Sequence, residues 1–214
     1  MTISVFLVDD HRVLRDGLRI LLESQNDIEV IGEAQDGKKA VQSISSLKPD
    51  VAVMDITMPE LNGIDAAQTI HESLPEIGIV ILSIHSDLEH IFRALQAGAQ
   101  GYLLKESAGS EVISAVRAVY LGRRYLSPSV RDTVMEAHLQ DHQVHSPLDL
   151  LSMREREVLQ LTVEGHSSAA IAERLALSPK TIDTYRSRLM GKLGVRDLPE
   201  LVRFAIKHGI TPID

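Results

Sequence analysis

The stretch Ile3-Ser4-Val5-Phe6-Leu7-Val8-Asp9-Asp10 decides how the first half of the chain is read. Six residues, nearly all aliphatic, β-branched or aromatic, end in two carboxylates. An apolar run without alternation fits a strand covered on both faces, as in a parallel sheet. The period then changes. Across residues 12–23, Leu14, Gly17, Leu18, Leu21 and Leu22 make one stripe, with Arg12, Arg15, Asp16 and Arg19 mostly off it, which is a helical pattern. The alternation recurs. A strand over 28–34 precedes a helix over 37–46. A strand over 51–54 ends at Asp55, with a helix over 63–71 after it. A strand over 79–82 ends at Ser83, before a helix over 88–97. A strand over 102–104 ends at Lys105, and a helix over 110–120 closes the series. Five strand–helix units in about 120 residues predict a doubly wound α/β domain, a five-stranded parallel sheet with helices on both faces. No Gly-x-Gly-x-x-Gly opens the first helix, so the dinucleotide fingerprint is missing.

The 214 residues carry 22 Lys and Arg against 30 Asp and Glu, a net charge of −8. The acid is uneven. Residues 1–145 hold 12 basic and 21 acidic side chains, residues 146–214 hold 10 and 9. Cysteine is absent, which excludes disulfides, thiol catalysis and thiolate metal sites. No apolar run approaches the ~18 residues of a membrane-spanning helix. The N-terminus lacks the basic region of a signal peptide. The expectation is a cytoplasmic protein without a membrane partner.

Residues 123–147 break the alternation. Ser127-Pro128, a His/Gln/Asp mixture and Ser146-Pro147 read as a linker, helical in part over 130–139, with His138, His142 and His145 as solvated polar residues. From Ser152 the pattern is all helical. Ser152-x-x-Glu155 is a capping-box start, and Gly165 stops that helix. Ser167 caps a short helix over 169–175. Ser178-Pro179 opens a third, which runs to Leu193 and ends at Gly194, and Pro199 opens a fourth, closed by Gly209. The second and third form a helix-turn-helix by spacing. The third has an apolar face of Ile182, Tyr185, Leu189 and Leu193. Opposite lie Lys180, Thr181, Asp183, Thr184, Ser187, Arg188 and Lys192, a polar and cationic side suited to the major groove of double-stranded DNA.

Functional groups of a doubly wound sheet gather at the carboxyl ends of its strands. Here those ends carry Asp9-Asp10, Asp55, Ser83 and Lys105. Carboxylates brought together repel unless a cation joins them, and a few hard oxygens suit Mg²⁺ with retained waters. Carboxylate, divalent cation, hydroxyl and ammonium together suit phosphoryl transfer, with Asp55, the lone central carboxylate, as nucleophile.

Residues 1–121 resemble the receiver domain of two-component response regulators. The likeness rests on Val8-Asp9-Asp10-His11, Asp55-Ile56-Thr57-Met58-Pro59, Gly63, Ser83 and Gly101-Tyr102-Leu103-Leu104-Lys105, in order and at these spacings. It implies a flavodoxin-like receiver in which Asp55 accepts a phosphoryl group from a sensor histidine kinase. It implies Mg²⁺ held by Asp10, Asp55 and the backbone carbonyl of Thr57, with Asp9 acting through water. It further implies that Lys105 contacts the phosphoryl oxygens, that Ser83 moves to hydrogen-bond them, and that the ring of Tyr102 follows Ser83. Glu106 stands after Lys105, where many receivers carry proline.

Residues 150–206 resemble the LuxR-type (NarL/FixJ) DNA-binding domain. The motifs are Leu151 through Leu159, Gly165-His166-Ser167, Ile171-Ala172, Ser178-Pro179-Lys180-Thr181-Ile182 and Lys192-Leu193-Gly194-Val195. Asp183 and Tyr185 stand where that family often has Lys and His. The expected organisation is a receiver over 1–122, a linker over 123–147 and a helix-turn-helix domain over 148–214.

The combined reading is a transcriptional response regulator rather than an enzyme, a receiver that promotes only its own phosphoryl transfer and dephosphorylation. It forms a homodimer on activation, with RNA polymerase as a further contact. The final helix offers Leu201, Val202, Ala205 and Ile206 for pairing. In the unphosphorylated chain the receiver is expected to hide the basic helix. Three alternatives stay open: a binding module without phosphate control, a regulator acting without DNA, and a metal-dependent phosphatase. Against the last, Thr57 stands where a second Asp is needed.

Overall fold

The computed structural model describes residues 2–139 and 146–211. Strands β1 (Ile3–Val8), β2 (Ile28–Ala34), β3 (Val51–Asp55), β4 (Gly78–Ser83), β5 (Gly101–Leu104) and β6 (Tyr125–Leu126) form one sheet in the order β2-β1-β3-β4-β5-β6. All five pairings are parallel. Helices α1 (Arg12–Glu23) and α5 (Ala108–Tyr120) cover one face. Helices α2 (Gly37–Leu47), α3 (Gly63–Ser73) and α4 (Leu88–Gln96) cover the other. Every residue of β3 and β4 is buried, as the unalternating runs require of strands packed on both faces.

The sheet has six strands where the sequence pattern gave five. Residues 125–139, read as the start of a linker, add to the receiver instead. Tyr125 pairs with Gly101, the Ser127 N–H donates to the Tyr102 carbonyl at 3.0 Å, and helix α6 (Pro128–Leu139) buries Val130 and Ala137. Two strand residues are too few to show a period, and α6 has an apolar face only three residues wide, so neither stood out. His142 and His145 lie outside the described residues, as does the side chain of His138.

Four helices build the second core: α7 (Met153–Val163), α8 (Ser168–Leu175), α9 (Pro179–Leu193) and α10 (Leu198–Lys207). The caps read from sequence are in place. Ser152 and Glu155 exchange capping-box bonds, and Ser178 accepts from the Thr181 N–H. Gly194 ends α9 in the left-handed region. No helix among the described residues is long and apolar enough to cross a membrane.

Candidate functional site

The ends of β1, β3, β4 and β5 meet at the carboxyl edge of the sheet. Asp55, the last residue of β3, is buried, and its Oδ1 accepts from its neighbour's backbone, the Ile56 N–H at 2.8 Å. Lys105 Nζ sits 2.8 Å from Asp55 Oδ2 and 2.9 Å from Asp9 Oδ2. Asp10 completes the carboxylate group, 2.7 Å from His11 Nδ1. Burial pushes the Asp55 carboxyl up to about 6; Lys105 opposes this, while Asp9 and Asp10 add to it. Burial works against the Lys105 charge, but Asp55 and Asp9 outweigh it and raise its pKa.

Ligand oxygens of Asp9, Asp10 and Asp55 lie within 4.8 Å of one another. Asp9 Oδ2 and Asp10 Oδ1 are buried, their close partners being Lys105 Nζ and His11 Nδ1. Hard oxygens crowded together fit a small divalent cation. This is an acidic pocket of the kind that binds Mg²⁺.

The raised Asp55 value carries a sign. The folded pKa lies above the unfolded 3.8. The stability this contributes is complete below about pH 4 and is lost as pH rises through about 6. In Mg²⁺-free buffer, Asp55→Asn should therefore gain on the order of 1–3 kcal/mol at pH 8 and nothing near pH 4. Thermal melts in EDTA across that range measure it, and an equal gain at both ends would contradict the burial argument.

Ser83 is fully buried at the end of β4, and its Oγ accepts from the His85 N–H at 3.0 Å. Tyr102 is also fully buried and donates its hydroxyl proton to the His85 carbonyl at 2.8 Å. Thr57 stands half-buried in the loop after β3. Ser83 and Tyr102 thus grip the backbone of one residue, His85.

The helical domain docks on this same edge, through contacts the sequence did not reveal. Gln160, fully buried on α7, donates from Nε2 to the Met58 carbonyl at 2.8 Å and accepts from the Asn62 N–H at 2.8 Å. The Glu60 N–H donates to Glu164 at 2.9 Å, Arg156 pairs with buried Asp65 at 2.8 Å, and Arg174 pairs with Glu60. At the other end, Glu89 on α4 binds His208 Nδ1 and the Ser146 hydroxyl, each at 2.6 Å, and Arg93 donates to the His208 carbonyl. A cavity of about 660 Å³ over Asp55, Thr57 and Lys105 has Ile206 of α10 and Thr211 in its wall.

His85, Asp87 and His90 offer ligand atoms within 4.8 Å of one another, but they are arranged for packing. The two imidazoles stack at 4.0 Å and 5°, so their lone pairs run side by side rather than converge. Asp87 occupies His90 Nδ1 at 2.8 Å. Gly209 closes over the opposite nitrogens: a Cβ there would lie 2.6 Å from His90 Nε2 and 3.3 Å from His85 Nε2.

On α9, Lys180, Asp183, Thr184, Ser187 and Arg188 are all exposed, and Thr181 is half-buried. The receiver does not cover this face, contrary to the expectation that it hides the basic helix. It contacts α7, Arg174 of α8 and the end of α10 instead: Gln160 and Glu164 meet the loop after β3, Arg174 meets Glu60 of that loop, and Arg156 meets Asp65 of α3. Lys192 is exposed but tied at 2.6 Å to Glu155 of the α7 capping box. Of the proposed pairing face on α10, Leu201 and Ala205 are consumed by the local core, and Val202 and Ile206 are half-buried.

An acidic, lysine-topped pocket on a parallel sheet, clasped to a helix-turn-helix head, defines a receiver that governs DNA binding. Comparison with known proteins agrees. Residues 5–117 match the response regulator receiver domain, and residues 149–205 match the bacterial regulatory proteins of the luxR family. The chain is 38% identical over 208 residues to the response regulator UvrY of Escherichia coli strain K12, covering 97% of this chain and 95% of that protein. It is 38% identical over 210 residues to the oxygen regulatory protein NreC of Staphylococcus haemolyticus, covering 95% and 97%. A solved complex of the response regulator RcsB with DNA superposes with a TM-score of 0.60 at 26% identity, over 97% of this chain and 99% of that one. The chain belongs to the two-component response regulators with a LuxR-type helix-turn-helix, the NarL/FixJ family. It is a DNA-binding transcriptional regulator, not a classical enzyme.

Proposed function

We propose that Asp55 is the phosphoryl acceptor and that its phosphorylation releases the DNA-binding domain from the receiver. The observation that carries this is the shared edge: the loop leaving Asp55 is the loop that Gln160 holds, through the Met58 carbonyl and the Asn62 N–H. A carboxylate oxygen of Asp55 attacks the phosphorus of a phosphohistidine on a sensor histidine kinase. The P–N bond breaks, the imidazole leaves and takes up a proton, and an acyl phosphate forms. Mg²⁺ held by Asp10, Asp55 and the Thr57 carbonyl, with Asp9 through water, would supply charge neutralisation at the phosphoryl oxygens. Lys105, already bridging Asp55 and Asp9, places its ammonium where those oxygens arrive.

The new group attracts the Ser83 hydroxyl, which must then leave its bond with the His85 N–H. Tyr102 holds the other side of the same residue, and Gly209 rests on its ring. One residue therefore connects the phosphate to the docked domain. Release uncovers Ile206, which lies in the cavity wall beside Val202 on α10, for pairing of two copies, each carrying an α9 to one half-site, about one helical turn apart. The coupling is on the order of 1–3 kcal/mol. Double-stranded DNA, the kinase and RNA polymerase are the partners of this reading, and the cytoplasm is its setting.

With acetyl phosphate and Mg²⁺, intact mass should rise by one phosphoryl group, and Asp55→Ala should stay unmodified. Equal labelling of the Ala variant would overturn the assignment. Asp10→Asn should stay folded and lose Mg²⁺ affinity by calorimetry; unchanged affinity would exclude Asp10 as a ligand.

A further inference from the structure

We propose that Asp183 is the side chain with which this chain reads a cytosine in the major groove. The proposal rests on DNA binding through α9 and adds the base it selects. Asp183 lies in the second turn of α9, on the exposed face that also carries Lys180, Thr184, Ser187 and Arg188. A carboxylate there faces a groove walled by phosphates, where like charges repel. It has a favourable place only if it meets a hydrogen-bond donor, because an ionised carboxylate can only accept.

Its position is built rather than free. The Ser168 hydroxyl, at the start of α8, donates to Asp183 Oδ1 at 2.7 Å. Arg186 Nη1 donates to that same Ser168 Oγ at 3.3 Å, which holds the hydroxyl in place. The Ser168 bond occupies Oδ1 and leaves Oδ2 without a hydrogen bond among the described residues. Thr184 does not compete, since its hydroxyl is spent on the Lys180 carbonyl at 2.9 Å.

Two donors line the floor of the major groove, the N4 amino group of cytosine and the N6 amino group of adenine. Adenine N6 is flanked by acceptors on both sides, its own N7 and the O4 of the paired thymine. Cytosine N4 has one such neighbour, the O6 of guanine, and a C5–H on the other side. A carboxylate meets less repulsion at cytosine, and Asp183 is assigned to it.

Binding-site selection from a random duplex library tests this with the full chain treated with acetyl phosphate and Mg²⁺. Wild type should fix one cytosine in each half-site, and changing that C·G pair to T·A should weaken binding roughly ten- to hundredfold. Asp183→Asn should move the preference there to adenine, because a carboxamide both donates to N7 and accepts from N6. Asp183→Ala should lose the preference at that position alone and should bind random duplex more tightly, having lost a like charge. Ser168→Ala should keep the cytosine with a smaller penalty. A wild-type site without a fixed cytosine overturns the proposal. So does a cytosine that stays fixed in both Asp183 variants, even with a lower melting temperature, for Asp183 would then be only a clasp between α8 and α9. Repeating the selection without acetyl phosphate separates the two questions, since loss of phosphate control changes the amount bound and not the base preferred.

Discussion

A Gln160→Leu chain is expected to bind its duplex without phosphorylation. In the docked form Gln160 is fully buried and satisfies the Met58 carbonyl, the Asn62 N–H and, within its own helix, Glu164. Leucine leaves the two receiver groups buried and unpaired, at about 1–3 kcal/mol each. In the released form that position on α7 meets water, and the substitution changes little. Docking should therefore weaken by on the order of 2–6 kcal/mol, as much as or more than the roughly 1–3 kcal/mol typical of a coupling between sites. The interface loss is large enough to replace the signal. Fluorescence anisotropy with the unphosphorylated variant should match phosphorylated wild type, a gain of roughly five- to 150-fold over unphosphorylated wild type. An affinity no better than that of unphosphorylated wild type would show that the Gln160 contact does not restrain the domain. The phosphorylated variant serves as the control for an intact helix-turn-helix.

Gly63→Ala should disable the receiver. A Cβ at Gly63 would lie 1.8 Å from the Asp55 carbonyl oxygen and 2.8 Å from its carbonyl carbon. The obstacle is backbone, so no side chain can rotate away. The Gly63 N–H also donates to the Ile56 carbonyl at 2.7 Å, which fixes the start of α3 against the end of β3. Either the first turn of α3 or the strand carrying Asp55 must shift. The loss should exceed about 3 kcal/mol, in the range of severe buried-site substitutions. The melting temperature should fall by many degrees, and labelling by acetyl phosphate should drop at least tenfold. Wild-type melting and labelling would mean that this close approach is not needed.

The parts of the fold that repeat were legible in the sequence. The apolar runs ending in Asp9, Asp55, Ser83 and Lys105 gave both the sheet and the pocket, because parallel strands aim their carboxyl ends at one edge. The caps at Ser152, Ser178 and Gly194 set helix ends by local chemistry and were equally readable. The interdomain contacts were not. Gln160 sits in Val158-Leu159-Gln160-Leu161 as one polar residue in an apolar run, a signal that something polar must satisfy it but not what. Gly209 read as a helix stop, and its φ of +64° agrees, yet its fit over His85 and His90 depends on residues more than a hundred positions away. The open face of α9 was also beyond the sequence. Net charge suggested that the acidic receiver would cover the basic helix, but specific hydrogen bonds, not net charge, decide which surfaces dock.

If phosphorylation at Asp55 separates the two docked domains, the distance between them should change. The chain has no cysteine, so Lys38→Cys and Arg196→Cys give two unique, exposed labelling positions on receiver and helix-turn-helix. Pulsed electron–electron spin measurements on the unphosphorylated full chain should give one narrow distance distribution. Acetyl phosphate and Mg²⁺ should broaden and displace it, and the same treatment should leave it unmoved when Asp55→Ala is added. A distribution unchanged in chains shown by mass to be fully phosphorylated would contradict release of the domain.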